Sequence, residues 1–314
     1  MNPLGAIYGA CVWARNRSYD RGVLKSHRLS RPVISVGSLS SGGAGKTPFV
    51  ILLGTLLKQR GITFDVLSRG YGRKTRGVLE VDPDGSAREF GDEPLLIAKT
   101  FGCPVVVGES RYQAGLFAEA KFAPQLHILD DGFQHRSLAR DFDIVLLTPE
   151  DMRDQLLPGG RLRETLSSLR RADAVVQTGD AHYARSGVNE SCIWRMRRTI
   201  SFADPPSNPV MFCGIARPQQ FVEQLVAAGI EFVARKFYRD HHAYTETDIR
   251  DLLNLRDRTH AGGFITTEKD AINLGPHVSQ LEPLTIARVV MELQQPADAL
   301  DTILHAIAEP RPRA

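Results

Sequence analysis

The chain has 314 residues, 42% of them hydrophobic and 24% charged, with a formal net charge of +3. That length allows about two domains with buried cores and excludes a disordered chain, while so small a positive excess does not call for nucleic acid as a partner. The cysteines Cys11, Cys103, Cys192 and Cys213 are far apart and form no C-x-x-C pair, which argues against a disulfide framework or structural zinc and fits a reducing, cytosolic compartment.

The first segment, PLGAIYGACVWARNRSYDRGVLKSHR, spaces Leu4, Ile7, Tyr8, Val12 and Trp13 as a helix would, and Arg15, Arg17, Arg21, Lys25 and Arg28 follow closely. An apolar face with an interfacial Trp and a basic flank suits a helix lying on an anionic membrane surface. A helix packed on its own domain explains the same spacing equally well. No apolar run approaches the ~20 residues needed to span a bilayer, and no signal-peptide cleavage pattern follows the short apolar start.

From residue 32 onward, β-branched runs at 32–37, 63–68, 104–108, 125–129, 142–147 and 174–179 alternate with helical patterns such as 48–60, where Pro48 lies in the first turn and Gly61 follows the end. The alternation predicts an α/β fold with a doubly wound, mostly parallel sheet. The stretch SFADPPSNP (201–209) interrupts it and marks the expected boundary. A second, smaller α/β series is expected beyond it, with strands at 210–216, 232–238, 263–267 and 285–292 and helices near 218–229 and 296–308. The expected organisation is a membrane-surface segment over 1–30, a P-loop nucleotide-binding domain over 31–204 and a smaller domain over 205–314 that closes on the nucleotide.

The octet SSGGAGKT (40–47) sits directly after the first of these strands and directly before the first helix. It fits the phosphate-binding pattern G-x-x-x-x-G-K-[ST] except that Ser40 replaces the first glycine. In that setting the backbone of Ser40, Ser41, Gly42, Gly43, Ala44 and Gly45 can converge on phosphate oxygens, Lys46 can meet the β- and γ-phosphates, and Thr47 can ligate Mg²⁺. A partition-type ATPase would carry a signature lysine where Ser41 stands, and the lysine of TTEKD (266–270) falls one place too late for guanine reading.

Further along, ILDDGFQH (128–135) ends an apolar strand in Asp130 and Asp131, where such domains hold Mg²⁺ directly or through water. One of the two acids could equally cap the next segment. On local grounds Asp92 and Glu93 of GDEP read as a helix cap, and the histidines of YRDHHAY (238–244) as surface. SRGYGR (68–73) suits a second anionic group or a solvated loop, and the arginines of LPGGRLRE (157–164) could neutralise a transferring phosphoryl group.

The series PVISVGSLSSGGAGKTP, SRGYGR, GDEP, DDGFQHRSLARDFDIVLL, LPGGRLRE, DHHAY and TTEKDA resembles, in order, the tetraacyldisaccharide 4′-kinase family of lipid A biosynthesis, over about residues 4 to 293. The resemblance implies an ATP- and Mg²⁺-dependent kinase acting on the 4′-hydroxyl of an acylated disaccharide 1-phosphate lipid, peripheral to the cytoplasmic face of the bacterial inner membrane. No nucleic acid and no obligate protein partner are implied. It further implies Asp92 as the base with His241 as its partner, Lys46 and Arg163 at the nucleotide, Thr47, Asp130, Asp131 and Glu164 around the metal, and Arg69, Tyr71, Arg73, Gln134 and His135 at the substrate. Two departures stand out: Ser38 where the family usually has Asn, and LPGGRLRE where it often has LPAGPLRE. The competing reading is a P-loop ATPase or GTPase switch, or a metallochaperone-type nucleotidase.

Overall fold

A computed structural model describes residues 3–178 and 193–309. Twelve strands of the described residues form one sheet. In chain order they are β1 (Val33–Ser38), β2 (Phe64–Ser68), β3 (Leu79–Glu80), β4 (Val105–Val107), β5 (Leu126–Asp130), β6 (Phe142–Leu147), β7 (Ala174–Thr178), β8 (Ile193–Ser201), β9 (Val210–Cys213), β10 (Ala234–Phe237), β11 (Phe264–Thr267) and β12 (Leu284–Leu293). The spatial order is β10-β9-β11-β12-β8-β7-β6-β1-β5-β2-β4-β3.

The central strands are buried at every position, because helices cover both faces of the sheet. On one face α2 (Lys46–Gln59) sends Phe49, Val50, Leu53 and Leu57 onto Ile34, Val36 and Ile128; the short α3 (Ala87–Phe90) leads into α4 (Asp92–Phe101), which with α9 (Pro296–Ala308) extends the same cluster. Each of these large apolar side chains contributes about 1.5–3 kcal/mol relative to exposure. On the other face Ala114 and Ala118 of α5 (Arg111–Phe122) pack against Leu67, Val106 and Leu129. β1 lies parallel to both β5 and β6. The chain therefore reverses its winding at β1, and the crevice beyond the carboxyl ends of β1 and β5 is where such sheets bind ligands.

The expected strands recur within one to three residues, but the long strand β8 answers to no expectation. Its sequence IWRMRRTIS carries Arg195, Arg197 and Arg198 and is only partly buried, so it lacks the apolar run that marks the central strands. It pairs parallel with β7 and antiparallel with β12. Through it the second α/β series joins the first in one continuous sheet, and the connection after β8 contains the expected boundary at 204/205. The second series adds α6 (Pro218–Ala227), α7 (Glu246–Thr259) and α8 (Glu268–Leu274).

The N-terminal segment forms α1 (Pro3–Asp20). Gly5 is buried, Tyr8, Gly9, Val12 and Asn16 are partly covered, and this face docks on the first half of the molecule. Leu4, Ile7 and Trp13 point outward, each more than half exposed. Packing and apolar exposure, which the spacing alone could not separate, thus occupy different faces of one helix. Among the described residues no helix is long and apolar enough to cross a membrane.

Candidate active site

The phosphate loop follows β1 and feeds α2, with Gly45 in a left-handed conformation at the helix start (φ 85°). Gly43 (φ +76°) lies under Arg217, where an added Cβ would come 2.5 Å from the Arg217 Cγ. Both positions therefore need glycine, for conformation and for space. Arg217, from the segment before α6, is buried and donates to Thr148 (2.8 Å), Asp151 (3.0 Å) and Glu150 (3.1 Å), so it roofs the loop from the second half. No residue pattern around it singled Arg217 out. Lys46 is buried, 3.4 Å from Ser38 Oγ and 3.5 Å from Asp131 Oδ1. The Asn-to-Ser departure at position 38 thus falls in direct contact with the loop lysine.

Asp130 ends β5 beside β1, and Asp131 follows in a left-handed conformation (φ 51°) that a non-glycine residue adopts at a cost. The two acids differ in what they hold. Both Asp131 oxygens accept from the Arg163 guanidinium, at 2.8 and 2.7 Å; burial opposes its charge, but Lys46 and Arg163 hold the carboxyl far below the usual range. Among the described residues Asp130 accepts from Ser68 (3.2 Å), and its buried Oδ1 has no hydrogen-bond partner there. Burial, with the charges of Glu93 and Asp131, pushes its carboxyl up to about 7. A buried carboxylate oxygen with no hydrogen-bond partner among the described residues, beside Lys46 of the phosphate loop, is a donor that fits a hard divalent cation.

Glu164, expected in the metal shell, is placed apart from these two acids. Its fully buried carboxylate accepts from Arg171 (2.6 Å) and from Asn16 of α1 (2.7 Å). Arg163 faces the site and Glu164 faces away, toward α1. Among the described residues no group of three or more His, Cys, Asp or Glu is arranged to hold a metal. Arg73, expected at the substrate, donates to Glu109 and to the Gly77 carbonyl, both at 2.7 Å.

Asp92 opens α4 in the first half, and His241 follows β10 in the second, yet the His241 Nδ1 lies 2.8 Å from Asp92 Oδ2. His241 is itself left-handed (φ 58°), and the Tyr71 ring lies 5.0 Å from its imidazole. Asn273 of α8 donates to the same Asp92 oxygen at 3.0 Å. Lys269, also on α8, sits 3.1 Å from Asp240, 3.2 Å from His241 Nε2, 3.5 Å from Glu93 and 3.8 Å from Asp92. Burial opposes the Asp92 charge, but the His241 hydrogen bond and the Lys269 charge hold the carboxyl below its ordinary value. Burial likewise opposes the His241 charge, and the Asp92 hydrogen bond overcomes it and raises that pKa. Asn273 and Lys269 belong to the site without having been singled out. The TTEKDA stretch containing Lys269 was their only signal.

A cleft of about 830 Å³ is lined by Lys46, Asp130, Asp131, Arg163, Arg69, Tyr71, Gln134, His135 and His241, together with Arg15 of α1 and Arg111 of α5. Burial and the neighbouring cations Arg111, Arg140 and Arg69 push His135 down to about 4, so it stands neutral. Gln134 donates to the Ser38 carbonyl at 3.1 Å. A narrower space of about 140 Å³ runs from the phosphate loop to Arg198, Gln220 and Lys269 between the halves. His241 lines both spaces, whereas Asp92 faces a neighbouring cavity of about 1010 Å³ that also reaches Tyr71 and His241.

Known proteins resemble this chain over nearly its whole length. The Tetraacyldisaccharide-1-P 4'-kinase family profile matches residues 1–308. A tetraacyldisaccharide 4'-kinase of Koribacter versatilis is 49% identical over 98% of both chains, and one of Chlorobaculum parvum is 38% identical over 91% of this chain and 87% of that one. A crystal structure of LpxK from Aquifex aeolicus in complex with ATP superposes with a TM-score of 0.78, at 35% identity over 97% of both chains.

Proposed function

Because the chain belongs to the tetraacyldisaccharide-1-phosphate 4′-kinase family, we propose that its cleft works as follows. The protein transfers the γ-phosphoryl group of ATP to the 4′-hydroxyl of an acylated disaccharide 1-phosphate. A bond forms between the hydroxyl oxygen and the γ-phosphorus, the bond to the β–γ bridging oxygen breaks, and ADP leaves. Lys46 and the loop amides hold the triphosphate, and Arg163 sets Asp131 beside Lys46. Thr47 and Asp130 hold Mg²⁺, which supplies charge neutralisation at the phosphates. Asp131 is already committed to two cations, whereas Asp130 keeps a buried oxygen with no hydrogen-bond partner among the described residues.

The observation that carries the reading is the Asp92–His241 contact at 2.8 Å between the two halves, with His241 on the rim of the cleft that contains Lys46 and Asp131. Asp92 receives the hydroxyl proton, and His241 orients it and shares that proton. Because the partners come from different halves, the base is complete only when the halves meet. Arg69, Tyr71, Gln134 and His135 face the sugar phosphate. The outward Leu4, Ile7 and Trp13, with the basic residues after them, rest on the anionic surface holding the lipid, at the cytoplasmic face where ATP is present.

The test is direct. Purified full chain, ATP, Mg²⁺ and the acylated disaccharide 1-phosphate in detergent should give a lipid heavier by one phosphate, by mass spectrometry. Steady ATP hydrolysis with the lipid unchanged would contradict the reading and favour a nucleotide-driven switch.

A further inference from the structure

The docked face of α1 and the nucleotide pocket share one short segment of chain, residues 161–164. On its α1 side, the Tyr8 hydroxyl donates to the Arg163 carbonyl (3.2 Å) and the Asn16 amide donates to Glu164 Oε2 (2.7 Å). Arg136 fixes the far end of the helix, donating to the Asn16 carbonyl (2.9 Å) and to Asp20 (2.8 Å). The helix also lies against the stretch that bridges to Leu162: a Cβ on Gly9 would come 2.8 Å from Leu156 Cδ1.

On the pocket side, the same segment is stitched to the phosphate loop. Ser41 donates its backbone N–H to Arg161 (2.9 Å), Arg163 donates its own to Leu39 (2.7 Å), and the Arg163 guanidinium reaches the Ser40 carbonyl (3.1 Å) as well as Asp131. Asp131 in turn lies 3.5 Å from Lys46. A run of direct contacts therefore leads from α1 through Arg163 and Asp131 to the lysine of the phosphate loop.

Glu164 gives this run its stiffness. Its carboxylate is wholly buried: Oε2 accepts from Arg171 and from the α1 residue Asn16, and Oε1 lies 4.0 Å from Arg15, also on α1. A buried carboxylate is costly to leave short of partners. Moving α1 thus disturbs Glu164, and Arg163 is the next residue in the chain.

We propose that α1 is a positioning element for phosphoryl transfer: Tyr8 and Asn16, on the face turned from solvent, set Arg163 and through it the Asp131–Lys46 pair. This deepens the kinase reading and rests on it. The outward face of the same helix is the one assigned above to the lipid surface, and the docked face acts on the triphosphate site independently of it. Tyr8 and Asn16 touch no reacting atom and act only through Arg163 and Glu164.

The test uses the full chain and three readouts: kcat on detergent-dispersed acylated disaccharide 1-phosphate, affinity for a fluorescent ATP analogue without acceptor, and partition onto vesicles of phosphatidylglycerol and phosphatidylethanolamine. Asn16→Ala should lower kcat about tenfold and weaken the ATP analogue severalfold, with vesicle partition unchanged. Tyr8→Phe, which deletes one hydroxyl and keeps the ring, should do the same to a smaller extent and guards against misfolding of the first variant. The double variant Leu4→Ser/Trp13→Ser should lose partition while keeping kcat in detergent. Wild-type kcat and analogue affinity in both Asn16→Ala and Tyr8→Phe would overturn the proposal, as would losses confined to partition and acceptor KM. An inactive wild type would defeat the kinase reading instead, and the analogue-binding arm would still decide the coupling.

Discussion

The phosphate loop and the junction between α4 and α8 both gather charged groups, in adjoining spaces that share His241, but they are assembled in different ways. In the loop, eight consecutive residues between one strand and one helix carry the function, and their spacing alone fixes their geometry. At the junction, Asp92, His241, Lys269 and Asn273 come from segments up to 181 residues apart. They meet only because β8 and β12 weld the two series into one sheet. The loop is a local device that should work, in part, without the second half. The junction is a tertiary device that exists only when both halves are in place.

The largest effect expected on this comparison belongs to the loop. Lys46→Ala should lower kcat/KM by roughly a thousandfold, about 4 kcal/mol, as loss of a charge-stabilising group does. Near wild-type turnover would remove the loop from the mechanism. Next comes Lys269→Met, which keeps the stem but takes the cation from between Asp92, Glu93 and Asp240. It should lower kcat by about ten- to a hundredfold, because three partly buried carboxylates then repel one another, and should barely change binding of the ATP analogue. A matching loss of analogue affinity would place Lys269 with the loop instead.

A smaller and more diagnostic effect is in the pH dependence of stability. The folded Asp92 pKa lies below its ordinary 3.8, so its contribution is present above that value and is lost as pH falls through the depressed one. The folded His241 pKa lies above its ordinary 6.5, so its contribution is full below 6.5 and is lost as pH rises through the raised one. The stability difference between wild type and His241→Asn should therefore be greatest between about pH 4 and 6.5 and shrink on either side, by denaturant titration. A difference independent of pH would mean that the two groups do not form a charged pair. The smallest effect is expected at Arg73. Arg73→Ala should leave kcat and acceptor KM within about twofold while lowering the melting temperature by a few degrees, since its guanidinium ties Glu109 and Gly77 together away from the cleft.

The same contrast explains what the sequence disclosed. The central strands and the phosphate loop were legible because continuous burial and a contiguous motif write themselves into local pattern. Strand β8 was not, because its arginines and partial exposure resemble a surface segment. Asp92 and His241 read locally as a cap and as surface, and only the order of motifs along the chain paired them. The structure now brings them together. Glu164 shows the opposite limit: it stands next to Arg163 in one motif, but the two side chains face different ways, Arg163 to Asp131 and Glu164 to α1 and Arg171, which the motif alone does not disclose. Lys269 and Arg217 left almost no mark, since a single cation acquires meaning only from the acids that fold around it.

The central claim is that Asp92 and His241 act as one unit across the two halves, and a double-mutant cycle on kcat tests it most directly. With Asp92→Asn and His241→Ala measured singly and together, the account predicts that the double variant is hardly slower than the worse single one, as groups acting jointly require. Losses that multiply, with each substitution costing as much in the presence of the other as alone, would contradict it.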